Sequence, residues 1–291
     1  MRLRLYHHHD GARVAYREAG AGPVIALLHS AYLSHKEFEP VVEHLADRFR
    51  VVLPDLPLHG DSEHRAHHPY TLDWMAEVMS GFSAEALGPR PLIGGHGMGA
   101  EILVQAVISG RLRPPRIVLL PNRMHRRPER PWMRSGLRAA AWPARLPVID
   151  RALSHLARAA FRPDLLAGRL SARGTSTARD LVRHAFADVG GNAELARSWS
   201  RFARAWPRGA QSHLLDAYPR IDGDVLLLWA DEDEWHPVDS AEEALDLLPH
   251  AELRVLSGAG FLLAHDDPVG LARELAAFSV RGVRPAPGRL S

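Results

Sequence analysis

One stretch limits the architectures open to this chain more than any other: Ile93-Gly94-Gly95-His96-Gly97-Met98-Gly99-Ala100-Glu101. A short apolar run (Pro91, Leu92, Ile93) leads into it. A run with helical spacing (Ile102, Leu103, Ala106, Val107) leaves it, so the stretch reads as a strand-to-helix turn. Glycines at 95, 97 and 99 allow positive φ and let backbone pass close to backbone at no steric cost.

The same alternation of apolar strand and amphipathic helix extends on both sides. Residues 2–9 and 13–18 straddle Asp10-Gly11, a hairpin signal. Residues 24–28 form a continuous apolar run, suited to a strand buried on both faces, and end in His29-Ser30-Ala31. Helical period follows over 37–47 (Phe38, Val41, Val42, Leu45), then a buried strand over 50–53, a loop over 54–62, and a helix over 71–87 with Thr71 as N-cap. A strand over 116–120 is closed by Pro121. Beyond it, 122–216 carries no strand pattern, only amphipathic helical stretches broken by prolines and by Gly190-Gly191, which marks an inserted helical lid. Strands over 225–229 and 252–256 and helices over 240–248 and 268–280 resume the alternation, and 281–291 has the composition of a disordered tail. The expected molecule is a core of residues 1–121 and 217–280, a doubly wound, mostly parallel α/β sheet, with residues 122–216 inserted into it. Ligands in such sheets bind at the carboxyl ends of the strands, where the unusual residues cluster.

Composition removes several classes of function. No apolar run approaches the roughly 18–20 residues a bilayer span needs. The N-terminus passes straight into His7-His8-His9-Asp10 without a signal-peptide core, and a cytoplasmic location is expected. The absence of cysteine excludes disulfides, thiolate catalysis and cysteine zinc sites. On an alternating strand His7-His8-His9 cannot present three ligands together, and no His-x-x-x-His pair is seen on a helix face, so no metal is expected. The glycine-rich turn lacks the Lys-Ser/Thr of a phosphate loop, and no cofactor is expected. Lys36 is the only lysine, and 122–216 holds 18 Arg against 7 Asp and Glu. That excess would draw an anionic partner or simply clothe the outer faces of helices, and the second reading is preferred. With no recognition motif and no basic run interleaved with aromatics, nucleic acid is not an expected partner. Nothing in the sequence speaks to oligomeric state.

Four motifs, in order, resemble those of the α/β-hydrolase-fold superfamily. Leu28-His29-Ser30-Ala31 resembles the oxyanion loop, usually His-Gly followed by a residue whose amide faces the substrate. Asp55 to Ser62 resembles D-x-x-G-x-G-x-S. Gly95-His96-Gly97-Met98-Gly99 resembles the nucleophile elbow G-x-S-x-G, and Ala230 to Pro237 resembles the acid loop G-x-x-D-x-x-x-P. The resemblance runs over 13–280 and implies an eight-stranded sheet with a helical lid. It breaks where the chemistry should be. Gly97 holds the serine position, and Ser30 holds that of the usual loop glycine. Gly258-Ala259-Gly260-Phe261-Leu262 stands where Gly-x-Gly-His-Phe is usual, and Asp267-Pro268 keeps its distance, so Phe261 holds the histidine position. Of the triad the family implies, only Asp233 remains.

A serine hydroxyl needs a base to take its proton, and the base needs a third group to orient it. Glycine and phenylalanine supply neither, which rules against an ordinary Ser-His-Asp hydrolase. The backbone amides of Ala31 and Met98 fall where the resemblance places the oxyanion hole, and Met98 opens a helix whose amides favour negative charge. Losing the side chain at 97 should open space before them. Asp233, without its histidine, is expected to have a raised pKa and to act as a base, with His96 as relocated proton carrier. His29, Ser30, Gly97, Trp235, Phe261 and His265 are the expected pocket residues, His265 being otherwise a surface histidine beside two aspartates. The expected activity is non-hydrolytic: cyclisation, elimination, isomerisation or carbon–carbon cleavage of an apolar, carbonyl-bearing small molecule. Two readings compete, a ligand-binding pseudoenzyme and a weak hydrolase working by direct attack of water.

Overall fold

A computed structural model describes residues 1–65, 67–126, 163–187, 193–207 and 209–281. Strands β1 (Arg2–His7), β2 (Arg13–Ala19), β3 (Val24–Leu28), β4 (Arg50–Pro54), β5 (Leu92–Gly95), β6 (Arg116–Leu119), β7 (Asp224–Ala230) and β8 (Ala251–Leu256) build one eight-stranded sheet in the order β1-β2-β4-β3-β5-β6-β7-β8. The β1–β2 and β2–β4 pairs are antiparallel and the remainder parallel. This is the doubly wound, mostly parallel architecture that the alternation implies. Asp10-Gly11 makes the β1–β2 turn, Gly11 taking φ 88°.

Alternate strand residues face opposite layers, as the two-residue period requires. Ile25, Leu27, Val51, Leu53, Val118, Leu226 and Leu228 pack against α1 (Glu39–Leu45) and α8 (Pro268–Val280). Ala26, Leu28, Val52, Ile93, Ile117, Leu227 and Trp229 pack against α2 (Leu72–Phe82), α3 (Met98–Ile108) and α7 (Val238–Leu247). Thr71 caps α2 by accepting from the Trp74 amide at 3.2 Å. The helical run over 37–47 divides in two. A 3-10 turn over His35–Glu37 precedes α1, and this turn carries Glu37 inward rather than onto a solvated helix face.

Residues 122–216 contribute α4 (Pro163–Leu170), α5 (Ser176–Ala187) and α6 (Ala193–Ala205), with no strand among the described residues. Arg169, Arg173, Arg179, Arg183 and Arg197 are exposed, in keeping with arginine on outer faces. Residues 127–162 of the expected lid and 282–291 of the expected tail lie outside the described residues. No described helix is long and apolar enough to cross a membrane.

The chain passes from β3 to β4 on one side and then back across β3 to β5 on the other. That reversal falls between the carboxyl ends of β3 and β5, the place such sheets use for ligands. Leu28 and Gly95 are register partners across it, so the segments that follow them, with Ser30 and Gly97, emerge side by side.

Candidate active site

Gly97 joins β5 to α3 with φ 50° and ψ −115°, a left-handed conformation that costs most side chains strain. The turn is pinned from both sides. The His96 amide donates to the Leu28 carbonyl at 3.0 Å, and the Gly97 amide to the Pro121 carbonyl at 2.9 Å. A Cβ on Gly99 would lie 2.3 Å from the Leu28 carbonyl oxygen, which is why backbone must pass backbone bare there. A Cβ on Gly97 would lie 2.2 Å from the Ser30 hydroxyl oxygen. The space expected to be open at residue 97 is therefore occupied by the Ser30 side chain, from the loop after β3. The Ala31 and Met98 amides hydrogen-bond to nothing among the described residues, and the Met98 amide is the first of the buried α3.

Behind Ser30 and Gly97 lies a carboxylate–imidazole pair. Glu37 and His96 are each only 1% exposed. One Glu37 oxygen bonds His96 Nδ1 closely, and the other accepts the Ser30 amide at 2.7 Å. Burial pushes the Glu37 carboxyl up, but the imidazole and that amide outweigh it and hold the group below the usual carboxylate range. Against an ionised Glu37, His96 Nδ1 is the donor of that bond. Nε2 is buried and has no hydrogen-bond partner among the described residues.

Asp233 differs from its sequence expectation. It has a histidine after all: His236, one helical turn along the acid loop, bonds its Oδ2 at 2.9 Å, while Oδ1 accepts the amides of Trp235 and His236 at 2.9 and 3.2 Å. Burial favours the neutral acid, yet His236 and the two amides prevail and the pKa is lowered, not raised. So saturated a carboxylate is a poor free base. Phe261 fills the space between the two imidazoles, its ring 4.1 Å from His96 and 5.1 Å from His236, with Leu170, Leu181 and Val182 of α4 and α5 packed in the same cluster.

Of the remaining expected pocket residues, Trp235 is 44% exposed, its amide donating to Asp233. His265 is not a surface histidine but 7% exposed, and burial holds its pKa below the ordinary value despite Glu37 nearby. His29 braces two loops. Its Nε2 accepts the Leu56 amide at 2.9 Å, so Nδ1 donates to the Ser30 carbonyl at 2.7 Å. The structure thus brings Ser30, Ala31, His96, Gly97, Met98 and Phe261 together, with Asp233 behind Phe261.

Three residues escaped the sequence reading. Glu37 was only the first residue of a helical period, and His236 was visible three residues past Asp233 but was given no role. Glu101 lies in the first turn of α3, buried, with burial raising its pKa against the opposing Arg123 at 3.3 Å. Among the described residues two groups could hold a metal, His8 with His9 and Glu77, and His35 with Asp55 and Asp61. His8 and His9 face one another because β1 ends at His7, so strand alternation no longer separates them. In the second group His35 Nδ1 and Asp55 are spent on each other at 2.8 Å. Neither group includes a residue of the elbow.

Over residues 23–268 the sequence matches the family described as alpha/beta hydrolase fold. The magnesium-chelatase 30 kDa subunit of Rhodobacter capsulatus is 28% identical over 242 residues, covering 81% of this chain and 80% of its own. A thermophilic esterase from Thermogutta terrifontis superposes with a TM-score of 0.75 at 20% identity, over 96% of this chain and 98% of the other. The 2-hydroxy-6-oxo-6-phenylhexa-2,4-dienoate hydrolase of Rhodococcus sp. strain RHA1 superposes with a TM-score of 0.73, also at 20% identity, over 95% and 98%.

Proposed function

The chain belongs to the alpha/beta hydrolase fold family, and from that premise we propose an enzyme that performs acid–base chemistry on the carbonyl group of a small, largely apolar molecule without an elbow nucleophile. The Ala31 and Met98 amides hold the carbonyl oxygen as it gains negative charge, an interaction worth about 3–4 kcal/mol per donor in enzymes that use it. His96 Nε2 takes the proton, and Glu37 fixes the tautomer and stabilises the imidazolium that results. Phe261 forms an apolar wall beside both. Elimination, isomerisation, cyclisation and carbon–carbon cleavage all proceed through such an oxyanion and need no acyl-enzyme.

The observation that carries this reading is the buried, unpartnered Nε2 of His96 backed by an ionised Glu37. A buried polar atom without a partner costs about 1–3 kcal/mol, a cost a functional base has reason to bear. Exchange of the α-protons of 4-phenyl-2-butanone in D2O, followed by NMR, tests it. Exchange faster than buffer, lost in His96→Phe, is expected; exchange at the buffer rate would overturn it. A second reading, a ligand-holding protein without turnover, draws on the likeness to a relative named as a subunit of magnesium-chelatase. It predicts that the ketone binds equally to wild type and His96→Phe, with no exchange in either.

A further inference from the structure

We propose that Ser30 is a surrogate nucleophile, a hydroxyl supplied from the loop after β3 into the seat left by Gly97 and served by the Glu37–His96 pair. The inference rests on the cradle and base named above, and adds to them an acyl-accepting oxygen.

Position is the first argument. The Ser30 hydroxyl oxygen lies 2.2 Å, and its Cβ 3.1 Å, from where a Cβ on residue 97 would stand, so a side chain at 97 and the one at 30 compete for a single space. Serine and glycine have in effect exchanged places between the two strands. Hydrogen bonding is the second. The buried serines 62, 80, 171 and 240 each donate their hydroxyl to an oxygen at 2.5–2.6 Å, whereas buried Ser83 makes no such bond among the described residues. Among the described residues the Ser30 hydroxyl makes no such bond. Coupling is the third: Glu37 holds the Ser30 amide with one oxygen and His96 Nδ1 with the other, tying the hydroxyl-bearing residue and the open imidazole to one anion. Serine and imidazole are not hydrogen-bonded in the free protein, and such contacts commonly close only when substrate binds.

The chemistry balances without a further reagent. Ser30 Oγ attacks the carbonyl carbon of an activated ester while its proton passes to His96 Nε2. The tetrahedral oxygen rests on the Ala31 and Met98 amides, and the carbon–oxygen bond to the leaving group breaks as His96 Nε2 hands its proton to the departing oxygen. Water then attacks the acyl carbon while its proton passes to the freed Nε2, which returns it to Ser30 Oγ as that bond breaks and the carboxylic acid forms. With a fluorophosphonate the sequence stops after the first half: the Oγ–P bond forms, P–F breaks, and fluoride leaves.

The test is covalent labelling of the wild-type chain by an ethoxy fluorophosphonate, with the adduct mapped by tryptic mass spectrometry. One equivalent on Ser30 is expected, formed at least about 10²-fold more slowly in Glu37→Gln. No adduct, or an adduct on another residue, would overturn the proposal. Should Glu37→Gln fail to fold, the pH profile of labelling decides. A base-assisted serine gives a rate that levels off once the imidazole is neutral, whereas an unassisted hydroxyl keeps rising about tenfold per pH unit and would overturn it. Ketone α-proton exchange separates this inference from the reading beneath it. Exchange without an adduct removes Ser30 alone, and an adduct without exchange keeps Ser30 while removing the non-hydrolytic activity.

Discussion

A serine restored at position 97 would meet the Ser30 hydroxyl at 2.2 Å, at a backbone φ of 50° that already strains any side chain. Gly97→Ser is therefore expected to lower stability by about 1–3 kcal/mol, the ordinary cost of overpacking. Ser30→Gly should relieve most of that cost in the double variant, a coupling measurable by a urea double-mutant cycle. Additive effects would show that the two side chains do not share a site. Glu37→Gln removes the charge that keeps the His96 proton on Nδ1 and leaves a buried pair half-made, so a loss of about 3–5 kcal/mol is expected in chemical denaturation. Putting histidine at 261 does not rebuild a triad either, because Asp233 is saturated by His236 and two amides. In a Ser30→Gly, Gly97→Ser background, Phe261→His should raise ester turnover only when His236→Ala frees the carboxylate, which steady-state rates on p-nitrophenyl butyrate would reveal.

At the scale of elements, the loops at the carboxyl end of the sheet share a pH dependence. His29 after β3, His59 after β4 and His265 after β8 are buried with pKa values held down, that of His59 to about 3, chiefly by loss of hydration. Unfolded histidine titrates near 6.5, so below that pH the unfolded chain binds protons that the native loops refuse. Stability therefore falls as pH falls from about 6.5 toward the native values, by about 1.4 kcal/mol per pH unit for each such group. Glu37, Asp55 and Asp233, whose pKa values are depressed in the fold, add to the loss only below about pH 4. Urea midpoints should thus decline already between pH 6.5 and 5, and His59→Asn should flatten the slope by one proton's worth. A plateau down to pH 4.5 would contradict the assignment.

Across the whole molecule, α6 packs into the core beneath the sheet. Phe202 and the following Trp206 are buried in the same core as α2 and α3, and Trp199 stacks on Tyr32 at 5.1 Å, directly after the oxyanion loop. His59 lies edge-on to both Trp199 and Phe202. If this packing is part of one cooperative unit, Phe202→Ala lowers the urea midpoint by the equivalent of about 3–5 kcal/mol in a single transition. Two transitions would mean that α6 detaches by itself.

Much of this was legible along the chain because it depends on local periodicity. Apolar runs marked β3 to β8, Thr71 announced its helix, Asp10-Gly11 its hairpin, and the glycines around His96 the tight turn between β5 and α3. That glycine stands at 97 and phenylalanine at 261 was equally a matter of reading positions. What no local pattern carries is who meets whom across the sheet. Ser30 and Gly97 are far apart in sequence, and only the neighbouring of β3 and β5 makes one hydroxyl fill the other's vacancy. Glu37 became buried because a 3-10 turn, not an α-helix, begins at His35, and Asp233 found His236 because its loop closes on itself. Sequence by itself determined the layers and the missing atoms; tertiary structure alone decided which partners the remaining charges found, since a buried charge takes its pKa from neighbours brought by the fold and not by the chain.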